Sequence, residues 1–384
     1  MSAPAPTADN PMRAQVFSLP ELLATQHDAL EAATRALLRT PTIFAVREVI
    51  LTGCGDSHVA GELLAEPWVR LTGIPCRPLP AMQAARYETE LPRRSLPHDP
   101  MVVAVSSSGT VARTLEAVEQ WRRRGALTVA VTADPQSRLA RAAEHCLPLT
   151  LPPFAAAPGV RSFFLSAQAL YLLAIRIGEV RGRLTQQEAE RLRTQLSATA
   201  DALGRMLPAL DEELAALARE WRGHGRYELL AGGPARAAAA YGRAKVLEAA
   251  GVPAVDQDVE EWVHLDYFAR DPDTCATWVL CPESARDQSR VREIEPFLQR
   301  LGRPYRILTD APRPAEPGRT IALPAPPDPL FAPLVYAAAL ALFAARLSAE
   351  LGAEYGRGAR GRWQDCRDGA TTRNSQRLPL PADR

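Results

Sequence analysis

The sequence predicts an α/β protein made of two similar halves, each with a parallel sheet that is covered by helices on both faces. Short apolar runs with the length of buried strands alternate with segments of helical periodicity, which is typical of βαβ units. The same order of elements occurs twice, which indicates an internal duplication. With 384 residues, the chain is long enough for two domains of about 150 residues each.

The first half follows a Pro- and Ala-rich lead, residues 1–18, which we expect to be disordered. After a helical segment over 19–38, strands alternate with helices, and these elements define a predicted first domain over 19–184. Strands are predicted at 48–52, 75–79, 101–105, 127–132 and 146–151. Helices are predicted at about 57–71, 111–124, 136–144 and 162–177.

The second half follows a helical connector over 185–222, which is rich in Glu, Arg, Leu and Ala. We expect a second domain over 223–355 and a C-terminal tail over 356–384. Its strands are predicted at 227–231, 277–280, 304–309 and 319–323. Helices are predicted after the first two strands, ending near 250 and 301, and over 333–351.

The composition excludes several classes of function. The net charge of +1 gives no electrostatic footprint for nucleic acid or for an anionic membrane. The six cysteines form no CxxC pair and no metal-binding pattern, which indicates free thiols in a reducing compartment. We see no signal peptide, and we expect that no apolar run approaches the roughly 20 residues that a membrane span needs. We therefore expect a cytoplasmic protein without metal, membrane or nucleic-acid partners.

Two strand-to-helix turns in the first half are rich in glycine and hydroxyl groups: Gly53-Cys54-Gly55-Asp56-Ser57 and Ser106-Ser107-Ser108-Gly109-Thr110. Helix N-termini offer unpaired N–H groups and partial positive charge, and serine adds donors without bulk. The turns therefore predict one phosphate site. The corresponding turns of the second half, Gly232-Gly233-Pro234-Ala235 and Cys281-Pro282-Glu283-Ser284, contain a single hydroxyl.

These two turns resemble the phosphate loops of sugar isomerase (SIS) domains. The arrangement over about 20–375 is similar to the isomerase half of glucosamine-6-phosphate synthase and to fructosamine 6-phosphate deglycases. The resemblance implies two tandem SIS domains, each a flavodoxin-like three-layer α/β/α unit. It also implies that the sugar phosphate is bound by Gly55, Ser57, Ser106, Ser107, Ser108 and Thr110. In the same way, Pro158–Ser162 resembles the segment that closes over the sugar, which implies Val160 and Ser162 as further contacts.

The second half carries the residues that the resemblance assigns to catalysis. Tyr241-Gly242-Arg243-Ala244-Lys245-Val246-Leu247-Glu248 resembles the family helix with the catalytic glutamate, and His264 follows Glu248 by sixteen residues, at the family's separation. Glu248 would be the base that moves a proton between C1 and C2, and a buried face of its helix would raise its pKa toward neutrality. His264 would open the sugar ring, and Lys245 is the third catalytic candidate.

The sequence departs from the family pattern at three places. Leu265-Asp266 follows His264 where the family has Gly-Pro, and Val111 replaces a threonine of the second phosphate loop. The tail has no counterpart of the synthases' lysine, so Arg373 becomes a candidate sugar contact, although arginine does not readily form a Schiff base. A glutaminase domain has no counterpart in the sequence, so we expect no use of glutamine as an ammonia source.

These features predict an enzyme that acts on an amino-sugar or fructosamine 6-phosphate as a deglycase, deaminase or aldose-ketose isomerase. General acid–base catalysis of this kind needs no metal and no organic cofactor. The resemblance implies a homodimer in which the histidine loop completes the partner's active site. Two alternatives remain: a non-catalytic SIS protein that senses sugar phosphates, or an inactive relative that serves as an oligomeric partner.

Overall fold

The computed structural model describes residues 10–90, 99–312, 318–357, 361–364 and 371–379. The chain divides into two compact units. One unit contains Leu22–Pro153, Ser162–Ser197 and Arg357–Arg384, and the other contains Met1–Glu21, Phe154–Arg161 and Ala198–Gly356. Each unit is therefore assembled from segments that are separated in sequence, whereas the predicted domains are continuous stretches.

Each unit contains one sheet of five parallel strands. The first sheet consists of β1 (Val49–Gly53), β2 (Cys76–Pro80), β3 (Met101–Val105), β4 (Leu127–Thr132) and β5 (His145–Pro148). The second consists of β6 (Arg226–Ala231), β7 (Ala254–Asp258), β8 (Cys275–Leu280), β9 (Tyr305–Thr309) and β10 (Thr320–Ala322). Their spatial orders are β2-β1-β3-β4-β5 and β7-β6-β8-β9-β10, which is the same topology. The duplicated α/β fold is thus confirmed.

Both sheets have the flavodoxin-type strand order, in which the chain changes direction across the sheet between the first and third strands. Ligands of such sheets bind at the carboxyl ends of the strands beside this switch point. In the first sheet, β1 and β3 are adjacent and in register from Val49 opposite Met101 to Thr52 opposite Ala104. The two glycine- and serine-rich turns follow these two strands, so the topology places them where a ligand is expected.

The helices alternate with the strands as predicted. Those before and around the first sheet are α1 (Pro11–Phe17), α2 (Leu19–Leu37), α3 (Thr40–Ala45), α4 (Asp56–Thr72), α5 (Ala112–Arg123), α6 (Arg138–Ala142) and α7 (Arg161–Val180). The remaining helices are α8 (Gln186–Trp221), α9 (Ala235–Lys245), α10 (Val259–His264), α11 (Gln288–Arg300) and α12 (Ala332–Glu350). The predicted connector is the single long helix α8.

Two helices correct the expectation that no segment reaches membrane-spanning length. The helical segments Arg161–Val180 and Pro329–Glu350 are long and apolar enough to cross a bilayer by length and composition. However, 83% and 89% of their most apolar windows are buried inside the protein. Burial of this extent is what core helices require, because strands that are covered on both faces need apolar partners.

Part of the expected disordered lead is a helix. Asn10 caps α1, since its Oδ1 accepts hydrogen bonds from the backbone N–H groups of Met12 (3.0 Å) and Arg13 (3.1 Å). The side chains of Met12 and Val16 are fully buried. The prediction of disorder is therefore wrong for residues 11–17, because composition does not reveal burial against distant segments. Residues 1–9 lie outside the described residues.

Strand β7 is absent from the sequence-based prediction. Its sequence Ala-Val-Asp-Gln-Asp has three polar residues, and all five positions are only partly buried. The strand nevertheless pairs with β6 from Ala254 opposite Tyr227 to Asp258 opposite Ala231. An edge strand is held by backbone hydrogen bonds along one side, so its side chains need not show the apolar pattern of a central strand.

Candidate active-site residues

The turn after β1 is shaped by two glycines. Gly55, just before α4, has a φ of +55°, a conformation that favours glycine. A Cβ atom on Gly53 would lie 2.8 Å from the backbone carbon of Ser57 and 2.9 Å from the carbonyl oxygen of Val105. Only glycine allows this approach, so the start of α4 lies directly against the end of β3. Ser57 is half-buried in the first turn of α4.

The turn after β3 is fixed by its backbone. The N–H of Ser106 donates to the carbonyl of Val131 (3.0 Å), and the N–H of Gly109 donates to the carbonyl of Ser106 (2.9 Å). Gly109 has a φ of +60°, and a Cβ there would overlap the side chain of Ser137. The hydroxyls of Ser108 and Thr110 lie 2.9 Å apart. The shape of the loop is therefore defined by its own backbone hydrogen bonds and by Gly109.

Two buried hydroxyl groups at the ends of β1 and β3 are not satisfied within the part of the chain that the structure describes. Ser106 is 3% exposed and Thr52 is 1% exposed, and neither hydroxyl has a hydrogen-bond partner there. Unsatisfied buried hydroxyls are uncommon in native proteins and call for an explanation such as a bound ligand. Ser107 is half-buried, and its carbonyl accepts from the N–H of Ala133 (2.9 Å). Ser106 is thus the hydroxyl of this loop that is best placed to bind an anion, and Thr52 is a candidate that sequence reasoning missed.

The C-terminal tail lies against the second loop. The carbonyl of Thr372 accepts a hydrogen bond from the N–H of Ala112 at the start of α5 (2.8 Å), where Val111 has no side-chain group to cap the helix. The guanidinium of Arg138 donates to the carbonyls of Thr110 (2.9 Å) and Arg373 (3.0 Å). The backbone of Arg373 is therefore beside the loop, and the residue is exposed. Residues 365–370 of the tail lie outside the described residues.

The segment Pro158–Ser162 reaches the catalytic candidates of the second half. The carbonyl of Gly159 accepts hydrogen bonds from the hydroxyl of Tyr241 (3.2 Å) and the Nζ of Lys245 (3.3 Å). Val160 has no exposed surface, so its side chain belongs to the core and only its backbone could meet a ligand. Ser162 is half-buried in the first turn of α7.

Lys245 and Glu248 form an ion pair with 2.5 Å between Nζ and Oε2. The Lys245 side chain is fully buried, whereas that of Glu248 is 43% exposed. The expectation of a buried Glu248 is therefore wrong: the lysine occupies the buried face of the helix, and the carboxylate is the accessible member of the pair. Lys245 is also the sole lysine among the 45 Lys and Arg residues of the chain.

The backbone around this pair is unusual. Helix α9 ends at Lys245, and Val246–Ala250 continues as one π-helical turn that contains Glu248. Such turns are rare and are frequently found at functional sites. One turn earlier, a Cβ on Gly242 would lie 2.6 Å from Leu229 and 2.7 Å from Leu340, so glycine allows α9 to pack tightly on β6 and α12. The tight packing places Lys245 in the interior.

His264 lies at the end of α10, which begins directly after β7. Asp258 caps this helix by accepting a hydrogen bond from the N–H of Glu260 (2.8 Å). The His264 side chain is 61% exposed, and its Nε2 lies 3.2 Å from Oε1 of Glu260. The structure therefore brings Lys245, Glu248 and Gly159 together, but it pairs His264 with Glu260 rather than with Glu248.

No metal site is evident in the described ranges, where no three His, Cys, Asp or Glu residues are grouped so as to hold an ion. The thiols of Cys54, Cys76, Cys146, Cys275 and Cys281 are free, and Cys366 is outside these ranges. Burial raises the pKa of Cys76 to about 12 and that of Cys275 to about 12. These two thiols are therefore poor nucleophiles.

Comparisons with known proteins agree with this architecture. The SIS domain family matches residues 42–176. Similar curated proteins include glutamine–fructose-6-phosphate aminotransferases of Aeropyrum pernix (31% identity over 199 residues, 52% of this chain and 31% of that protein) and Zymomonas mobilis (26% over 347 residues, 87% and 55%). The chain thus matches only about a third to a half of these relatives' length.

The fold is also that of a solved structure. The C-terminal domain of glucosamine-fructose-6-phosphate aminotransferase from Francisella tularensis superposes with a TM-score of 0.80 at 16% identity, covering 92% of this chain and 99% of that one. At this identity the likeness concerns the fold alone. The resemblance inferred from the two phosphate turns is confirmed: residues 42–176 match the SIS domain family, and the chain as a whole has the fold of two tandem SIS domains.

Proposed function

We propose that the protein is an enzyme that moves a proton between C1 and C2 of an amino-sugar or fructosamine 6-phosphate, as a deglycase, a deaminase or an aldose-ketose isomerase. The observation that carries this proposal is the Lys245–Glu248 ion pair. The chain uses arginine at every other cationic position, yet it has a lysine at a fully buried position 2.5 Å from an accessible carboxylate. A compact, titratable ammonium has properties that arginine lacks.

The phosphate group would bind at the turns after β1 and β3. The buried hydroxyl of Ser106 and the neighbouring hydroxyls of Ser57, Ser108 and Thr110 supply donors that suit a dianion. The absence of an internal partner for Ser106 in the described chain supports this role.

Catalysis would begin with ring opening: the imidazole of His264 transfers a proton to the ring oxygen, the bond between this oxygen and the anomeric carbon breaks, and the anomeric hydroxyl loses its proton to water, which gives the open carbonyl form. The Glu248 carboxylate then removes the proton from C1 of the open ketose, the C1–C2 double bond forms, and the C2 oxygen takes up a proton. Glu248 returns its proton to C2 while the C1 oxygen loses one, which gives the aldose. The Lys245 ammonium would stabilise the negative charge that develops on oxygen.

A fructosamine 6-phosphate would follow the same path to an imine. Proton transfer from C1 to C2 places the double bond between C1 and nitrogen; water then adds at C1, and the amine leaves with a proton to give the aldose 6-phosphate. For a 2-amino aldose, the proton moves from C2 to C1, and the imine at C2 is hydrolysed to ammonia and a ketose phosphate. Each route needs only water and general acid–base groups.

We further propose that His264 acts in the active site of a second copy of the chain. Its side chain is largely exposed and paired with Glu260 rather than Glu248. In this case a mixture of Glu248→Gln and His264→Ala chains, refolded or co-expressed together, should recover about a quarter of wild-type turnover, as one intact site per mixed dimer predicts on statistical grounds. A mixture that stays inactive would contradict the shared site.

The function is tested by offering the purified chain a fructosamine 6-phosphate, glucosamine 6-phosphate and fructose 6-phosphate, and measuring both thermal shift and product release. We expect at least one compound to be turned over, and Glu248→Gln to lower kcat by about 10²–10⁴ while the thermal shift remains. Binding without turnover by the wild type would instead favour a sensor. Wild-type turnover by Glu248→Gln would show that the base is misassigned.

A further inference from the structure

A buried ion pair lies beneath the helix that carries His264. Glu228 of β6 and Arg303, which follows α11, have side chains with no exposed surface, and the Arg303 guanidinium contacts Oε2 of Glu228. The indole N–H of Trp262 donates to the same carboxylate oxygen (3.2 Å). The Arg303 guanidinium lies 5.2 Å from the centre of the Trp262 ring. Trp262, two residues before His264, is thus bound to this pair.

The segment that follows His264 is bound to the same ion pair. The second Nη of Arg303 donates to the backbone carbonyl of Asp266 (2.7 Å). The Asp266 carboxylate accepts from Arg226 (2.8 Å) and from the side-chain amide of Gln257 on β7 (3.1 Å). Arg226 also lies 3.1 Å from Glu228. One connected polar network therefore holds the residues two positions before and two positions after His264.

Stability alone does not explain this network. Burying two charged side chains costs hydration energy. Apolar residues of the same volume often stabilise a fold equally well or better. Hydrogen bonds are directional, however, and a planar guanidinium that binds a carboxylate and a carbonyl together fixes their relative position. The side chains of His264 and Leu265 are themselves 60% exposed or more, so they bury little surface of their own.

We propose that Glu228, Arg303 and Asp266 are positioning residues that fix the backbone on both sides of His264, so that the exposed imidazole has a defined direction. This inference rests on the proposed catalytic role of His264. It also accounts for a departure from the family pattern, because Leu265-Asp266 stands where the family has Gly-Pro. Side chains of other elements anchor this turn: Arg226 and Gln257 bind the Asp266 carboxylate, and Arg303 binds its backbone carbonyl.

The test compares Asp266→Asn and Arg303→Met in the full-length protein, with Arg306→Met as the matched control. Arg306 belongs to the same unit but pairs with Glu220 (2.5 Å) and not with the His264 segment. We expect Asp266→Asn and Arg303→Met to lower kcat about tenfold or more with KM within about twofold, and the control to leave both unchanged. Amide hydrogen exchange of peptides covering residues 259–268 should become faster in the two variants only.

A double-mutant cycle with His264→Ala distinguishes positioning from general loss of structure. If Asp266 acts through His264, Asp266→Asn should change kcat less than about twofold in the His264→Ala background. An equal loss in both backgrounds, or unchanged exchange over 259–268, would overturn the proposal.

If Arg303→Met fails to fold, Asp266→Asn, at a partly exposed position, still decides the question. Full turnover by His264→Ala would instead refute the catalytic role itself, whereas a large loss with His264→Ala but none with Asp266→Asn would refute only the positioning role.

Discussion

The two repeats share one sheet topology but differ at the ends of their first and third strands. In the first repeat, the turn after β3 carries the hydroxyl of Ser106, which is buried and has no hydrogen-bond partner among the described residues. In the second repeat, a Cβ on Gly232 after β6 would overlap the carboxylate of Asp287, just before α11. A carboxylate against this turn would repel a phosphate. The two copies therefore share a scaffold but differ in the side chains at these turns.

The second repeat has its candidate catalytic groups elsewhere. Lys245 and Glu248 lie at the carboxyl-terminal end of α9 and in the π-helical turn that follows it, and His264 lies beyond the edge strand β7. The comparison teaches that a repeated fold need not repeat a site, because the glycine- and serine-rich turns and the candidate proton-transfer groups lie in different copies. Three variants test this division of labour.

The largest effect is expected from Lys245→Arg. The larger, permanently charged guanidinium must replace an ammonium at a position with no exposed surface, so we expect kcat to fall by about 100-fold or more. The control is Arg243→Lys, because Arg243 is 39% exposed and pairs with Asp256 at 2.9 Å. It should leave kcat within about twofold of wild type. Equal kcat for Lys245→Arg and wild type would remove lysine from the chemistry.

A smaller effect is expected from Ser106→Ala in the first repeat. Loss of a hydrogen bond to a charged phosphate, worth about 1.5–3 kcal/mol, should raise KM by roughly 10- to 150-fold and leave kcat nearly unchanged. The melting temperature should not fall, because the variant removes a buried hydroxyl that has no partner in the described chain. Ser284→Ala, at the corresponding turn of the second repeat, should change KM less than about twofold. If both variants raised KM alike, the two repeats would not differ as we propose.

The smallest effect is expected from Asp287→Asn in the second repeat. Burial raises the pKa of Asp287 above its usual 3.8. The folded protein therefore binds this proton more tightly than the unfolded chain, so the carboxyl's contribution to stability is full below pH 3.8 and is lost as the pH rises through the folded-state pKa.

Asp287→Asn should consequently raise the melting temperature by about 2 °C at pH 7, and the gain should shrink as the pH approaches 4. Thermal unfolding at both pH values measures the effect. The exposed Asp273 provides the control, and Asp273→Asn should change the melting temperature little at either pH. A gain for Asp287→Asn that is the same at both pH values would contradict a role for its charge.

The fold class and the positions of the glycine- and serine-rich turns could be predicted from the sequence. Central strands such as β3 are covered on both faces, so they appear as continuous apolar runs. A turn that must admit a close backbone approach requires glycine, as at Gly53 and Gly109. These constraints are local, and they can be read from neighbouring residues. The separation of three residues between Lys245 and Glu248 likewise predicts that their side chains meet across one helical turn.

Which of these side chains are buried, and which distant residues they contact, could be seen only in the folded structure. Helix α1 depends on burial of Met12 and Val16, and β7 depends on pairing with β6. The depth of Lys245 depends on Gly159, 86 residues away in sequence, and the anchoring of Asp266 depends on Arg303, 37 residues away. Contacts across such separations arise from the packing of elements already formed. Sequence spacing carries no record of them, so the burial of the one lysine and the network around His264 emerge only from the folded chain.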